Sequence, residues 1–576
     1  MDTREDSSLG EASGASPSGK WSQTLWRRSA ALTRGRALVL VSLSLFALPA
    51  LIDLLSDRLR APFRWLAADT FYYLTVSRNI ARHGRVAYDG EHASNGFQPL
   101  WQLWGALLEL LREKLSLGQV GPFLLVVSGV AALSGALWLL GVTLLRARRL
   151  SLAFLGLPVG LYAVMAIPFW AVGLRGIAAH GLRSWRMPVF GSLWSYANGM
   201  ESSLVILCFA LALYVAVVGR ALTSARRAAG FGACLGFLTL ARLDHGLIAA
   251  ALLAGFALAS VRARAPQRAV QAALPFAGLV VPVLALNWHF FGNIVPLSGV
   301  AKSSFPHFEA DNARVLRLLF DGSPTWRPDG ADSHWWLPVV CRQLQTILPA
   351  LLCAAYALSR LLRRQAGLLQ TLLAAAACGA VLLAAYNFCF TNSSDQGFWY
   401  YPVSTLLPSL FVLAERWPRL RLPPVWRVAS ATALGVLVTS FFLTWHRHPR
   451  YNEDFRAVAL EAGEKAREFY GPNLPKVVEI DDGIVSYSLD TPAMSSFLAL
   501  DPEGFRAVKQ GKLLDLAVAR GFDRVASSWY RPNSTKPRDL ASWVGASLRQ
   551  DVSAYRFEKE LATDDGYLVI VRVQPK

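Results

Sequence analysis

Charge is scarce in this chain. Only 17% of its 576 residues are Asp, Glu, Lys or Arg, against roughly 25% in an ordinary soluble protein. Acid is scarcer than base, with 39 Asp and Glu against 58 Lys and Arg, a formal net charge of +19. Cysteine is sparse too: Cys208, Cys234, Cys341, Cys353, Cys378 and Cys389 form no CxxC pair. All fall in or beside hydrophobic stretches, so they read as small apolar core residues, not as a disulfide framework or a thiolate zinc site. His83, His180 and His245 show no HExxH or comparable spacing, which argues against zinc. No Walker motif, no GxGxxG opening a helix after a strand and no GxSxG occurs. ATP-driven transport and serine-hydrolase chemistry therefore have no support.

What the chain has in abundance is apolar residues, 53% of the total. They gather in runs near the ~20 residues that cross a bilayer. Clear runs lie at 37–55, 122–145, 151–172, 203–219, 269–286, 371–390 and 428–445. The positive excess lies wholly in residues 1–445, because 446–576 holds equal numbers of basic and acidic residues. It sits in short clusters between apolar runs, such as Arg146-Ala-Arg-Arg149, Arg226-Arg227 and Arg363-Arg364. Nucleic acid is not the implied partner, since short cytoplasmic loops retain Lys and Arg for topological reasons.

Taking each cluster as cytoplasmic predicts a polytopic all-α membrane bundle of about 11–13 spans, with the N-terminus in and the C-terminus out. Residues 1–36 form a polar cytoplasmic N-terminus, the first part of which is expected to be disordered. Residues 37–445 form the transmembrane domain, with a first outer loop at 57–97. The segment 98–113 leaves an odd crossing and reads as re-entrant, interfacial or a true span. Residues 228–261 read as a tight helical pair hinged at Arg242-Leu-Asp-His245. The remainder, 446–576, reads as a soluble α/β domain outside the cytoplasm. Its expected elements are helices at 453–469 and 502–518 and strands near 476–480, 523–527 and 567–573.

Ionisable residues near a bilayer are costly, so their grouping is informative. Under this topology they collect on the outer side. The first outer loop carries Asp69, Arg78, His83 and Asn95. Glu201 follows in Asn198-Gly-Met-Glu201, Arg242, Asp244 and His245 sit at the hinge, and Lys302 and Asp395 lie in later loops. Plainer readings stand beside the functional one. Asp69 suits the N-cap of a helix from Thr70, and Thr70–His83 suits an interfacial amphipathic helix. Arg242 and Asp244 suit a structural ion pair at a turn. Glu201 suits a helix start, and Lys302 suits a side chain reaching for the interface.

The first-loop block is the specific signal. It runs Asp69-Thr-Phe-Tyr-Tyr-Leu, Arg78-Asn-Ile-Ala, Gly84, Tyr88-Asp-Gly90 and Asn95-Gly-Phe-Gln-Pro-Leu-Trp101. With Asn198-Gly-Met-Glu-Ser202, Arg242-Leu-Asp-His245, Pro296 through Lys302 and Ile480-Asp-Asp-Gly-Ile-Val-Ser-Tyr487, it resembles the C-type (GT-C) glycosyltransferases. The likeness is to bacterial members of arabinofuranosyl- and mannosyltransferase type, which use polyprenyl-phosphate sugars. The sequence departs from that pattern at Ala68, where many relatives carry a second acid, and at Gln98, where they carry histidine.

The resemblance implies a multi-pass protein of the inner (plasma) membrane with a periplasmic or extracellular C-terminal domain. It implies transfer of a sugar from a polyprenyl-phosphate donor to a glycan, lipid or protein acceptor. Asp69 would be catalytic, and Arg242 and Lys302 would hold the donor phosphate. Tyr72, Tyr73, Arg78, Asn95, Gln98 and Trp101 would contact substrate, as would Glu201, Asp244, His245 and Asp395. No cofactor is certain, and a divalent metal is compatible. The alternative function is a transporter or flippase of lipid-linked sugars, which would place polar groups at the midplane, often on broken helices.

Overall fold

The structure, a computed structural model, describes residues 40, 51, 55, 66–67, 69–117, 120–147, 196, 198–304, 350–359, 367–390, 400–414, 463–480, 483–496, 501–527, 539–548, 550–562 and 568–576. The side chains of 301–304, 388–390, 408–409 and 412–413 are outside that set. The chain is mostly helical, with a small sheet near its end.

Helix α1, Thr70–His83, follows directly on Asp69. It stops at Gly84, whose φ of 65° is left-handed and whose N–H closes onto the Ile80 carbonyl, with Arg82 and His83 in the last turn. This is a favourable helix end for both backbone and dipole. Helix α2, Pro99–Lys114, places Pro99 at its first position, where no N–H is needed. Its 16 residues reach only about 24 Å, short of a ~30 Å hydrocarbon core. Trp101, Gln102, Gly105, Ala106 and Glu109 are buried on one face, while Leu103, Trp104, Leu107, Leu110 and Leu111 are exposed on the other. One face is thus packed against the protein and the other is apolar and exposed.

By length and composition, Gly121–Arg146, Leu243–Arg262, Gln267–Phe291 and Leu368–Asn387 can cross a membrane. We label the helices α3 (Gly121–Arg146), α4 (Ser202–Val217), α5 (Ala225–Ala241) and α6 (Gly246–Arg262). They continue as α7 (Gln267–Phe291), α8 (Leu297–Ser304), α9 (Leu368–Phe390) and α10 (Pro402–Ala414). The expected hairpin at 228–261 is α5, a 3-10 turn at Leu243–His245 and α6. The expected spans at 37–55, 151–172 and 428–445 lie almost wholly outside the described residues. The expected count of 11–13 and the N-in, C-out orientation remain expectations.

Small residues let the apolar helices approach closely. A Cβ on Gly232 would sit 1.8 Å from the Ala272 carbonyl oxygen, so α5 meets α7 backbone to backbone. Gly236, one turn on, faces the Leu279 side chain, 2.8 Å from where a Cβ would sit. Gly379 of α9 similarly lies against Ile248 of α6.

The C-terminal part has a five-stranded sheet in the order β2-β1-β3-β5-β4. Its strands are β1 (Val477–Glu479), β2 (Ala493–Ser495), β3 (Arg524–Ser527), β4 (Tyr555–Ala562) and β5 (Val569–Pro575). β1 pairs in parallel with β2 and β3, while β5 is antiparallel to both β3 and β4. Helices α11 (Ile484–Leu489), α12 (Pro502–Lys509), α13 (Leu513–Ala519) and α14 (Leu540–Leu548) connect and cover it. The helix expected over 502–518 is thus two, broken at Gly511, which has a φ of 62°. Of the expected 453–469 helix, 463–469 are helical and the earlier residues lie outside the described set.

This domain seats on α1. Gly483, with φ of 82°, brings its backbone so close that a Cβ would lie 3.0 Å from the Tyr72 nitrogen. Tyr72, Val76 and Tyr88 share one apolar cluster with Ala466, Val477, Val485, Leu489 and Ile570. Arg78 donates to Asp490 at 2.6 Å and lies 4.1 Å above the Tyr487 ring. The Tyr88 hydroxyl donates to the buried Glu479 at 2.8 Å.

Candidate active site

One cleft collects most of the candidate residues. It encloses about 880 Å³, open solvent at its mouth included, and Asp69, Tyr72, Tyr73, Gln98, Glu201, Arg242 and Asp244 all line it. They come from separate segments: the start of α1, the entry to α2, the turn before α4, and the α5–α6 hinge. The beginning of α8, with Pro296, Ser298 and Gly299, forms another wall.

Asp69 stands at the N-cap of α1, yet its side chain makes no capping hydrogen bond. The plain capping role is therefore not what occupies this carboxylate. Arg242 is 3% exposed. Its Nη1 donates to Glu201, and its Nε donates to Asp244 at 2.9 and 3.1 Å. Its guanidinium lies 4.0 Å above the Tyr400 ring, a favourable cation–π arrangement. Burial pulls the Arg242 pKa down, but Asp244 and Glu201 outweigh it, so the group is held above the ordinary arginine range. Burial raises the Glu201 carboxyl and Arg242 opposes, with a net upward direction.

Hydrogen bonds from the first loop hold this cluster in register. Tyr73 donates to Glu201 at 3.3 Å and accepts from the Gln98 backbone N–H. Burial, with Glu201 next in order, pushes the Tyr73 phenol well above its usual range. The Gln98 side-chain oxygen accepts from the Leu243 N–H at 2.9 Å. First loop, turn and hinge are thereby fastened at one point.

Trp101, Asn95, His245 and Arg78 do not line the cleft. Trp101 is buried and donates from Nε1 to the Gly199 carbonyl at 3.0 Å, tying α2 to the Asn198-Gly-Met-Glu201 turn. Asn95 accepts from the Leu297 N–H at the start of α8. His245 is fully buried, with Nδ1 2.9 Å from Asp244. Arg78 lines a second cleft, further along α1. Lys302 lies on α8, but its side chain and the whole of Asp395 are outside the described residues. Tyr386, Asn387 and Tyr400 line the cleft without having been singled out by sequence. They sit in or beside long apolar runs, where one sequence does not distinguish a lining tyrosine from a core one.

Glu201 and Asp244 are already committed to Arg242. Among the described residues no group of three or more His, Cys, Asp or Glu could hold an ion.

No family model and no curated protein matches the chain. Two crystal structures of ArnT from Cupriavidus metallidurans do. The chain is similar to ArnT. The apo structure aligns with a TM-score of 0.47 and 14% identity, covering 90% of this chain and 97% of that one. The structure bound to undecaprenyl phosphate gives 0.49 and 14%, covering 93% and 97%. At this level the likeness assigns no residue a role.

Proposed function

We propose that this chain is an integral-membrane glycosyltransferase. It moves a sugar from a polyprenyl-phosphate donor to a glycan, lipid or protein acceptor on the outer face of the inner (plasma) membrane. The observation that supports this best is the single cleft uniting Asp69, Glu201, Arg242 and Asp244 beside helices apolar enough to cross a bilayer.

In this reading Asp69 takes the proton of the acceptor hydroxyl as that oxygen bonds to the sugar C1. A general base needs hydrogen-bond reach to the proton, which a carboxylate at the cleft wall can have. The bond from C1 to the phosphate oxygen breaks, and the lipid phosphate leaves with the electron pair. Charge then grows on that phosphate, where fixed donors in a dry site act most strongly. A guanidinium has five N–H donors. Among the described residues the Arg242 Nη2 donors have no protein partner, while Nε and Nη1 are anchored by Asp244 and Glu201. Arg242 is thus pre-oriented with a free edge for phosphate. Lys302, on the helix whose start walls the cleft, supplies the second cation. Tyr72 and the Tyr73 ring offer faces to sugar or isoprene, and the C-terminal domain, seated on α1, sits on the acceptor side.

The test is transfer from a radiolabelled polyprenyl-phosphate sugar in membranes containing the Asp69→Asn protein. Turnover should fall by at least about 100-fold, the usual scale of a lost general base. Unchanged turnover at equal expression would defeat the assignment.

A further inference from the structure

A second cleft lies along α1, beyond the first turn and a half, where the C-terminal domain closes over it. It encloses about 1030 Å³, open solvent included. Its floor is α1, with Thr75, Arg78, Asn79 and Arg82, and its opposite wall is the end of α11, with Ser486, Asp490 and Thr491. On the helical rise of 1.5 Å per residue, Thr75 is about 9 Å and Arg82 about 20 Å along the axis from Asp69. The cleft is therefore outside the reacting centre but within reach of an extended substrate.

Its chemistry selects a ligand class. Small-molecule pockets are usually mostly apolar, whereas Pro492 is the one apolar side chain among the described residues lining this one, and the His83 imidazole its one aromatic ring. Its cations are answered by its acids: Arg78, Arg82 and Arg85 stand with Asp89, Glu91 and Asp490. Asp490 binds both Arg78 and Arg82, at 2.6 and 2.9 Å. A phosphate or an anionic headgroup would have to displace it. A wall in which donors and acceptors alternate at balanced charge suits hydroxyl groups, each of which gives and takes a hydrogen bond.

Two buried polar atoms in the lining residues lack partners. Thr75 Oγ1 and Arg78 Nε have no hydrogen bond, and both residues are 5% exposed. Buried polar groups in folded proteins are nearly always satisfied. Arg85 is exposed and, among the described residues, has no ion pair or hydrogen bond. One buried hydroxyl and one buried guanidinium N–H without partners, and one uncommitted arginine, thus belong to residues that line the same cleft.

We propose that this cleft binds a polyhydroxylated chain, a glycan segment of the acceptor, remote from the bond being made. The inference rests on the glycosyltransferase reading for the word acceptor, but not for the binding itself.

The experiment uses the full chain in detergent micelles and follows amide hydrogen exchange over 75–91 and 486–492. The probes are the oligosaccharide pool released from the envelope of the cells that carry the protein, inorganic phosphate, and vesicles of anionic phospholipid. The oligosaccharides should slow exchange in both segments. Arg85→Gln, at an exposed site that disturbs no packing, should weaken that effect at least tenfold in oligosaccharide concentration, and Thr75→Val should do the same. Protection by phosphate or vesicles alone, protection that survives both substitutions, or none with the oligosaccharides would overturn the proposal. Asp69→Asn separates the two readings. It should abolish transfer and leave the protection intact, whereas unchanged transfer with intact protection would remove the enzyme reading and keep the glycan site.

Discussion

Arg242 shows what a single residue must satisfy here. It is buried between two carboxylates and a tyrosine ring. Arg242→Met would leave Glu201 and Asp244 facing each other with no cation between them. Removing one partner of a buried ion pair costs about 3–5 kcal/mol, so the melting temperature in detergent should fall clearly. Adding Glu201→Gln to that variant should restore part of the loss, since one stranded charge is gone. Arg242→Lys should rescue poorly, because an ammonium lacks the planar fork that spans two acids. These residues were visible in the sequence because ionisable groups beside apolar runs are few and stand out. Trp101 and Asn95 stood out equally, yet their polar atoms are spent on joining segments. Only the fold separates those two uses.

Among the elements, the long apolar helices were the most legible. The runs at 122–145 and 203–219 correspond to Gly121–Arg146 and Ser202–Val217, and the hinge falls at Leu243–His245. Strand β2 and helix α11 of the C-terminal domain were not seen, because at three and six residues they are too short to show a period. Strand β4, Tyr555–Ala562, has no fully buried residue, and its alternation is broken at Lys559. Helix pairing was also hidden, although Gly232-Ala-Cys-Leu-Gly236 has the small-residue spacing that close pairs use. Gly232→Leu should therefore force α5 off α7 and destabilise by at least about 1–3 kcal/mol, the cost of overpacking. Gly278→Leu on α7 is the control, since a Cβ there meets nothing within 4 Å. Thermal unfolding of the two variants side by side decides it.

At the scale of the whole molecule, the first loop and the C-terminal domain are held together by charge and by a shared core. Burial alone would raise the Asp490 carboxyl, but Arg78 and Arg82 pull it below the ordinary aspartate range. A depressed native pKa contributes stability that is fully present above the unfolded value of ~3.9. That stability is lost as pH falls through the native value. Melting followed downward from pH 5 should thus steepen below about pH 4, and Asp490→Asn should flatten the curve. Gly483→Ala places a methyl against the Tyr72 backbone at a left-handed φ. It should loosen the domain from α1, read as faster amide exchange in 70–88.

The shared core has a consequence for synthesis. Tyr72, a wall of the cleft, is packed in the same cluster as Ile570, nearly 500 residues further along the chain. Ribosomes deliver that backing last. A nascent polypeptide already inserted in the bilayer would carry an unfinished pocket until its final strand emerged, and cutting the gene short would yield no autonomous catalytic half.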